Sequence, residues 1–368
     1  LGRIPKSGAG YSPQVAGSLV LFNEGAWVST ISAYSQDSMA VVWKTPAGRF
    51  LSNGTPHNKH RLTEAQSLYA VDWSVLRAYN LTDGSGLWEF GEPDGGVFHH
   101  LTLCHKKLLA ENRVHHKLYA FDKFTGTVAW VNRIDPDSRG HVVGCNWEHT
   151  FQFYSHRITS LKLADGKSEW DASGYDRVLG FSSTGVLATA ISTITAKMTL
   201  RVLSLDDGKE MWTIDADPSP FRVHESRGGL AFSVGSTLHF IRLKDGAKIW
   251  ERTFSEEGKY ASDEHFLYVS FNGGAVYALN QDDGGVVWQA HTGISDPEIT
   301  LVGDKLILVS PSTLPMNGPR VGALEVKGGK KLWMWRPNDD REVVLNYDIS
   351  REKQRIFLGI MDYVNLIP

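Results

Sequence analysis

Apolar and polar residues alternate with period two along much of the chain, as in "HFLYVSFNGGAVYALN" (265–280). This is the pattern of β-strands with one face buried and the other wet. No stretch has the length and period of an amphipathic helix. The alternating runs are punctuated by Asp-Gly and Thr-Gly pairs. A tight strand connection needs a residue that tolerates left-handed φ, and an aspartate there can hydrogen-bond the turn's own backbone. Between residues 141 and 173 the pattern predicts strands at 141–147, 149–155, 157–163 and 168–173, the last two joined by the Asp165-Gly166 turn.

The same phrase then recurs. "LYAFDKFTGTVAW" at 118, "ITSLKLADGKSEW" at 158, "LRVLSLDDGKEMW" at 200, "LHFIRLKDGAKIW" at 238 and "VYALNQDDGGVVW" at 276 each run from a strand through a glycine turn to a tryptophan. The closing tryptophans are Trp88, Trp130, Trp170, Trp212, Trp250, Trp288 and Trp333, and a worn copy, "ISAYSQDSMAVVW", ends at Trp43. Gly84, Gly126, Gly166, Gly208, Gly246, Gly284 and Gly328 are assigned equivalent turn positions. Eight units of about 40 residues, each of about four strands, predict an all-β fold, an eight-bladed β-propeller. A single blade has nowhere to bury an indole, so each tryptophan is expected to dock on the neighbouring blade, with burial of a few kcal/mol per large side chain. WD40 blades have similar length, but neither a recurring Gly-His nor a recurring Trp-Asp dipeptide is present.

The pattern Ala-x-Asp-x-x-Thr-Gly-x-x-x-Trp, best seen in "AFDKFTGTVAW" (120–130), resembles the tryptophan-docking motif of the PQQ-like propeller superfamily. That family includes quinoprotein alcohol dehydrogenases and non-catalytic BamB-like assembly proteins. The resemblance covers about residues 13 to 337 and implies a single β-propeller domain over 1–368. After Trp333, "REVVLNYD" and "QRIFLGIMDY" read as two further strands, so 338–368 are expected to close the ring by pairing with the N-terminal strand. A spurious eighth unit or a ninth blade are the alternatives.

Composition narrows the classes. A formal net charge of −3 on 368 residues, without charge runs, argues against nucleic acid as a partner, which calls for a basic face. No apolar stretch reaches the roughly 18–20 residues that cross a bilayer, so an integral membrane segment is not expected, although association with a membrane complex is compatible with the sequence. The chain starts at Leu1 rather than methionine, which reads as a processed or trimmed product and points to an extracytoplasmic place: periplasmic, secreted or ER lumenal. The sequons at Asn53 and Asn80 occur about as often as chance provides and carry no weight.

Candidate chemistry is sparse. Many quinoprotein dehydrogenases resemble one another in a disulfide between adjacent cysteines over the quinone and in a calcium ion held by acidic and amide side chains. Here the cysteines are Cys104 and Cys145. They are far apart in sequence, so neither PQQ nor calcium is expected as a cofactor. The two occupy similar places in adjacent blades and read as small buried thiols in first strands; a bridge would require Cα atoms within about 7 Å. His99, His100, His105, His115, His116, His141 and His149 gather nearby but lack the short local ligand spacings of zinc sites, and no metal is expected. Gly-x-Ser-x-Gly and His-Glu-x-x-His are absent, and Gly166-Lys167-Ser168 is a repeat turn rather than a phosphate loop. No catalytic residue is assigned.

Two surfaces remain as candidates. First strands line the channel of a propeller, and those here are polar. His60, His100, His224, Glu225, Asp263, Glu264 and Asp348 are therefore candidate ligand-binding residues of a shared funnel, against the plain reading that narrow, wet strands tolerate polar residues. On the rim, "VSPSTLPMNGPR" (309–320) and "TAISTITAKMTL" (189–200) read as projecting loops, either suited to protein partners or simply tolerated insertions. The expected function is a non-catalytic protein-interaction or assembly scaffold or sensor propeller. The alternative is an enzyme with a small-molecule site in the funnel, either a PQQ-dependent dehydrogenase or a lyase or hydrolase.

Overall fold

Each repeat folds on itself as four strands in sequence order, because hairpins of six or so residues with tight turns leave no length for a crossover. In this computed structural model, residues 13–24, 30–46, 61–72, 74–134, 141–191, 195, 197–216, 222–311, 320–336 and 342–362 are described. Among them are eight four-stranded antiparallel sheets. These blades span 14–46, 61–91, 98–133, 141–173, 177–216, 223–253, 259–291 and 298–335. The strands of blade four are His141–Cys145, His149–Tyr154, Arg157–Lys162 and Ser168–Ser173, within two residues of the sequence reading.

The turn chemistry is visible in blade three. Asp122 Oδ1 accepts from the backbone N–H groups of Phe124 and Thr125, both at 3.0 Å, and Gly126 follows at φ +72°. A side chain at that glycine would also collide with the indole of Trp88. One turn position differs from the sequence reading. In blade eight the left-handed residue against Trp288 is Gly329 (φ +67°), not Gly328, whose Cβ position faces open space. The sequence Lys-Gly-Gly-Lys offers two glycines, and the four-residue step to Trp333 selects the second.

All eight fourth strands share a feature that the period-two pattern conceals. The register slips by one residue beside each tryptophan, so that Trp250 faces Phe240 while Lys248 faces Ile241, and Ile249 is the extra residue. The same bulge precedes Trp43, Trp88, Trp130, Trp170, Trp212, Trp288 and Trp333. A bulge re-aims the next side chain and adds twist, which also makes an outer strand a poor template for edge-to-edge pairing. The extra residues Val42, Leu87, Met211, Ile249, Val287 and Leu332 are consequently exposed.

The chain forms two compact units. The first holds blades one to four with Asp348–Ser350 and Ile356–Gly359, and the second holds blades five to eight with Arg351–Arg355. In the first, the indole N–H of Trp43 donates to Leu81 O at 2.8 Å, that of Trp88 to Lys123 O at 3.0 Å and that of Trp130 to Leu163 O at 3.0 Å. In the second, Trp212 reaches Leu243 O at 2.7 Å, Trp250 reaches Gln281 O at 2.9 Å and Trp288 reaches Val326 O at 2.8 Å. Every acceptor lies three residues before the positive-φ glycine of the next blade, so the ring and its N–H read one turn in two ways. Trp333 is 42 % exposed, unlike Trp43, Trp130, Trp170, Trp212 and Trp250, which are buried.

The strands Glu342–Ser350 and Arg355–Asp362 pair with each other as a two-stranded sheet. In the first unit Asp348 Oδ2 accepts from Val15 N at 2.7 Å, and Phe357 packs with Val20 and Tyr34.

Blades three and four are tied covalently, which corrects the reading of two free thiols. Cys104 and Cys145 form a disulfide between the ends of the first strands Phe98–Cys104 and His141–Cys145, with Cα atoms 5.8 Å apart. Close by, Glu111 is fully buried in the second strand of blade three and accepts from Val142 N of blade four at 2.8 Å. Arg113 Nε lies 3.4 Å from its other oxygen. Burial pushes the Glu111 carboxyl up to about 7, against the pull of the Val142 N–H and the Arg113 charge. Because the folded value lies above the ordinary 4.5, the stabilising contribution is complete below about pH 4.5 and is lost as the pH rises through 7. Glu111→Gln should therefore flatten the fall in urea midpoint of the first unit between pH 5 and pH 8; an unchanged slope in the variant would remove Glu111 as its source.

Candidate functional site

The second unit contains a cavity of about 330 Å³ at the starts of four consecutive first strands, Arg177–Phe181, Val223–Ser226, Lys259–Ser262 and Glu298–Val302. Arg177, Arg222 and Lys259 bring positive charge to it from blades five, six and seven, and Glu298 brings a carboxylate from blade eight. Lys259 Nζ lies 3.2 Å from Glu298 Oε1 and 2.6 Å from Asp296 Oδ1. Arg222 Nη1 is 3.6 Å from the same Glu298 oxygen, and its backbone N–H donates to Glu257 Oε1 at 3.1 Å. Arg177 makes no side-chain hydrogen bond or ion pair among the described residues.

Two further polar groups complete the wall. Burial pushes the His224 imidazole below its usual value against the pull of Glu225, favouring the neutral ring, and its Nε2 lies 2.9 Å from Ser262 Oγ. The Tyr260 phenol, which burial pushes the other way, up to about 12, meets the Ser233 hydroxyl. Val178, Leu179 and Val223 supply apolar surface between them.

Of the seven funnel residues expected from sequence, His224 lines this cavity. Glu225 is on the opposite side of the same strand, by the alternation of strand side chains, and accepts from Ser183 Oγ at 2.8 Å. Asp263 and Glu264 fall outside the first strand, which ends at Ser262. Asp263 instead caps the turn into Phe266–Ser270, accepting from the N–H groups of His265 and Phe266 at 2.7 Å and from the Tyr268 hydroxyl at 2.6 Å. In the first unit, Asp348 is engaged by the backbone of Val15 and by its neighbour Ile349 N at 2.8 Å. His100 is half-buried at a positive φ of 44° in the first strand of blade three. His60 lies outside the described residues. Arg177, Arg222, Lys259 and Glu298 escaped the sequence reading; the available signal was their place, seven to ten residues beyond Trp170, Trp212, Trp250 and Trp288.

The first unit carries a different kind of surface. Trp147, in the turn after Cys145, is 74 % exposed, and Phe124, in the turn between the third and fourth strands of blade three, is 64 % exposed. The rings of Trp147 and His105 are 4.1 Å apart, edge to face. Lys123 N donates to Lys106 O at 3.1 Å, which places the Phe124 turn beside the His105 turn. Trp147 and His105 thus meet at one pair of turns, and the exposed Phe124 ring stands on the turn beside them, with Lys106 exposed and Lys123 buried against Glu64. Of the rim segments, 312–319, 192–194 and 196 lie outside the described residues.

Among the described residues no helix is long and apolar enough to cross a membrane, and no cluster of three or more His, Cys, Asp or Glu stands ready for a metal ion. The Cys104–Cys145 disulfide joins the first strands of two blades, its cysteines 41 residues apart in sequence.

Fold and repeat together define a β-propeller of the PQQ-like type. The chain belongs to the family described as outer membrane protein assembly factor BamB, whose model matches residues 28–226 and 196–344. No curated protein is similar enough to count as a match. Among solved structures, BamB from Moraxella catarrhalis is 13 % identical over 81 % of this chain and 93 % of that one, with a TM-score of 0.50. The computationally designed Ika8 protein is 9 % identical, covering 82 % and 93 %, with a TM-score of 0.57. The C-terminal WD40 domain of Sif2 is 13 % identical, covering 82 % and 94 %, with a TM-score of 0.51. At these identities the likeness concerns the fold.

Proposed function

We propose that this chain is a non-catalytic scaffold that binds a protein partner through a rigid propeller surface, in an extracytoplasmic compartment. The observation that carries the proposal is the Trp147–His105–Phe124 surface. Exposed aromatic side chains in a contiguous patch cost solubility and mark contact sites, where rigid rings supply area at little entropic cost. Membership of a family described by an assembly factor supports the same reading. The disulfide supports the compartment, since such bonds persist where the surroundings are oxidising. One propeller domain over 1–368, its strands in 338–368 serving as closure and the tryptophans as clasps, belongs to the same proposal; the Asp348 and Phe357 contacts to blade one support it.

Capture with a photo-crosslinking residue at position 124, in an extract of the source cells, should yield one dominant adduct. Trp147→Ala combined with His105→Ala should reduce that adduct tenfold or more without shifting thermal unfolding, because neither ring packs in the core. An adduct retained in full by the double variant would reject this surface as the docking site.

A second reading, an enzyme with a small-molecule site, is favoured by one contact, the 2.9 Å approach of His224 Nε2 to Ser262 Oγ beside a cavity. A neutral imidazole there can accept the hydroxyl proton, the first requirement of a serine nucleophile.

A further inference from the structure

We propose that the cavity of the second unit receives an acidic peptide segment of the protein partner, with its carboxylate held between Arg177 and Arg222. This rests on the scaffold reading and names the chemistry of the partner at a second, separate place. Three cations and one carboxylate line the cavity. The carboxylate, Glu298, is already committed to Lys259 at 3.2 Å and stands farther from Arg222, at 3.6 Å. Lys259 in turn is satisfied by Asp296 as well as Glu298. The unspent positive charge is therefore on the two arginines, and Arg177 has no side-chain partner of its own among the described residues.

Guanidinium groups present parallel N–H donors that match both oxygens of a carboxylate, which favours a carboxylate over a solitary halide or hydroxyl. The cavity's volume of about 330 Å³ accommodates an acidic side chain with part of its backbone. Val178, Leu179 and Val223 offer contact to its methylene groups. The neutral His224 and Tyr260 add polar atoms without adding charge. A lysine-bearing segment would instead meet Arg177, which has no side-chain partner among the described residues, beside Arg222, whose carboxylate stands at 3.6 Å, so the site also discriminates by repulsion.

The test uses the whole chain and a fluorescein-labelled Gly-Glu-Glu-Asp-Glu-Gly peptide, followed by anisotropy at 50 and 300 mM NaCl. The acidic peptide should bind, weaken several-fold at the higher salt, and lose at least tenfold in affinity on Arg177→Ala with Arg222→Ala. Glutarate should displace it. Charge reversal, Arg177→Glu with Arg222→Glu, should transfer binding to the corresponding lysine peptide, a result that mere damage to the fold cannot give. Equal binding by the Gln/Asn version of the peptide would overturn the proposal. So would unchanged affinity in the alanine variant, or displacement by inorganic phosphate but not by glutarate. Should the arginine-to-alanine variant fail to bind peptide yet still form the position-124 adduct, the two sites are independent; loss of the adduct in Trp147→Ala/His105→Ala alone bears on the scaffold reading and leaves the cavity's chemistry standing.

Discussion

Replacing Trp250 with alanine is expected to destabilise the second unit by about 3–5 kcal/mol, the range for removing a large buried aromatic side chain. The magnitude follows from three losses at one place. The indole is 7 % exposed and stacks on Phe240 with ring centroids 5.1 Å apart, inside the cluster that includes Leu267 and Leu279. Its N–H is the donor to Gln281 O, a carbonyl in the next blade that alanine would leave unpaired. Its face covers Gly284, where a Cβ would fall 2.7 Å from the ring. Gln281 is itself fixed, donating to Asp263 O at 2.8 Å and accepting from Ser226 Oγ at 3.0 Å, so the acceptor cannot swing away to find water. Chemical denaturation of Trp250→Ala should show a lower midpoint for the second unit, with peptides from 223–291 losing protection from hydrogen exchange first. Gly284→Ala should reproduce much of the loss while keeping the indole, because the left-handed φ of +72° and the ring both resist a methyl group. A Trp250→Ala protein with the parental midpoint would show that the clasp is incidental.

This clasp is also where sequence and structure meet most closely. The indoles recur because a sheet of four strands cannot bury one alone, and that necessity is written as a spacing. The bulge that aims each ring is not, because strict alternation has no place for the extra residue at Val287 or Ile249. Gly329 in place of Gly328 was legible in the spacing, since a left-handed glycine stands four residues before each closing tryptophan from Trp88 to Trp288. The candidate site was the least legible part. Histidines and carboxylates within strands drew attention, yet Asp263 had ordinary turn chemistry and Asp348 had a backbone to satisfy, while the convergent cations lay at strand starts whose alignment depends on how consecutive blades stack. Trp147 was equally silent, since exposure of a tryptophan is a property of what does not cover it.

Opening the Cys104–Cys145 bridge should be nearly as costly as losing an indole, and it should be felt in the first unit alone. The bond spans 41 residues, and in the chain-entropy account closing a loop of that size removes denatured-state freedom equivalent to about 4 kcal/mol. Both blades have their own hydrogen-bonded sheets, so each should survive; what loosens is the seam between them, where Glu111 also reaches Val142. The consequence extends to the proposed contact surface. His105 follows Cys104 directly and Trp147 lies two residues past Cys145, so the bridge holds the turns whose rings meet at 4.1 Å. Cys104→Ser with Cys145→Ser, or reduction verified by mass spectrometry, should lower the denaturation midpoint of the first unit, spare exchange protection in 223–291, and weaken formation of the position-124 adduct. If the reduced protein kept both its midpoint and its adduct, the seam would be held by packing alone, and an oxidising compartment would have no structural reason to matter to this chain.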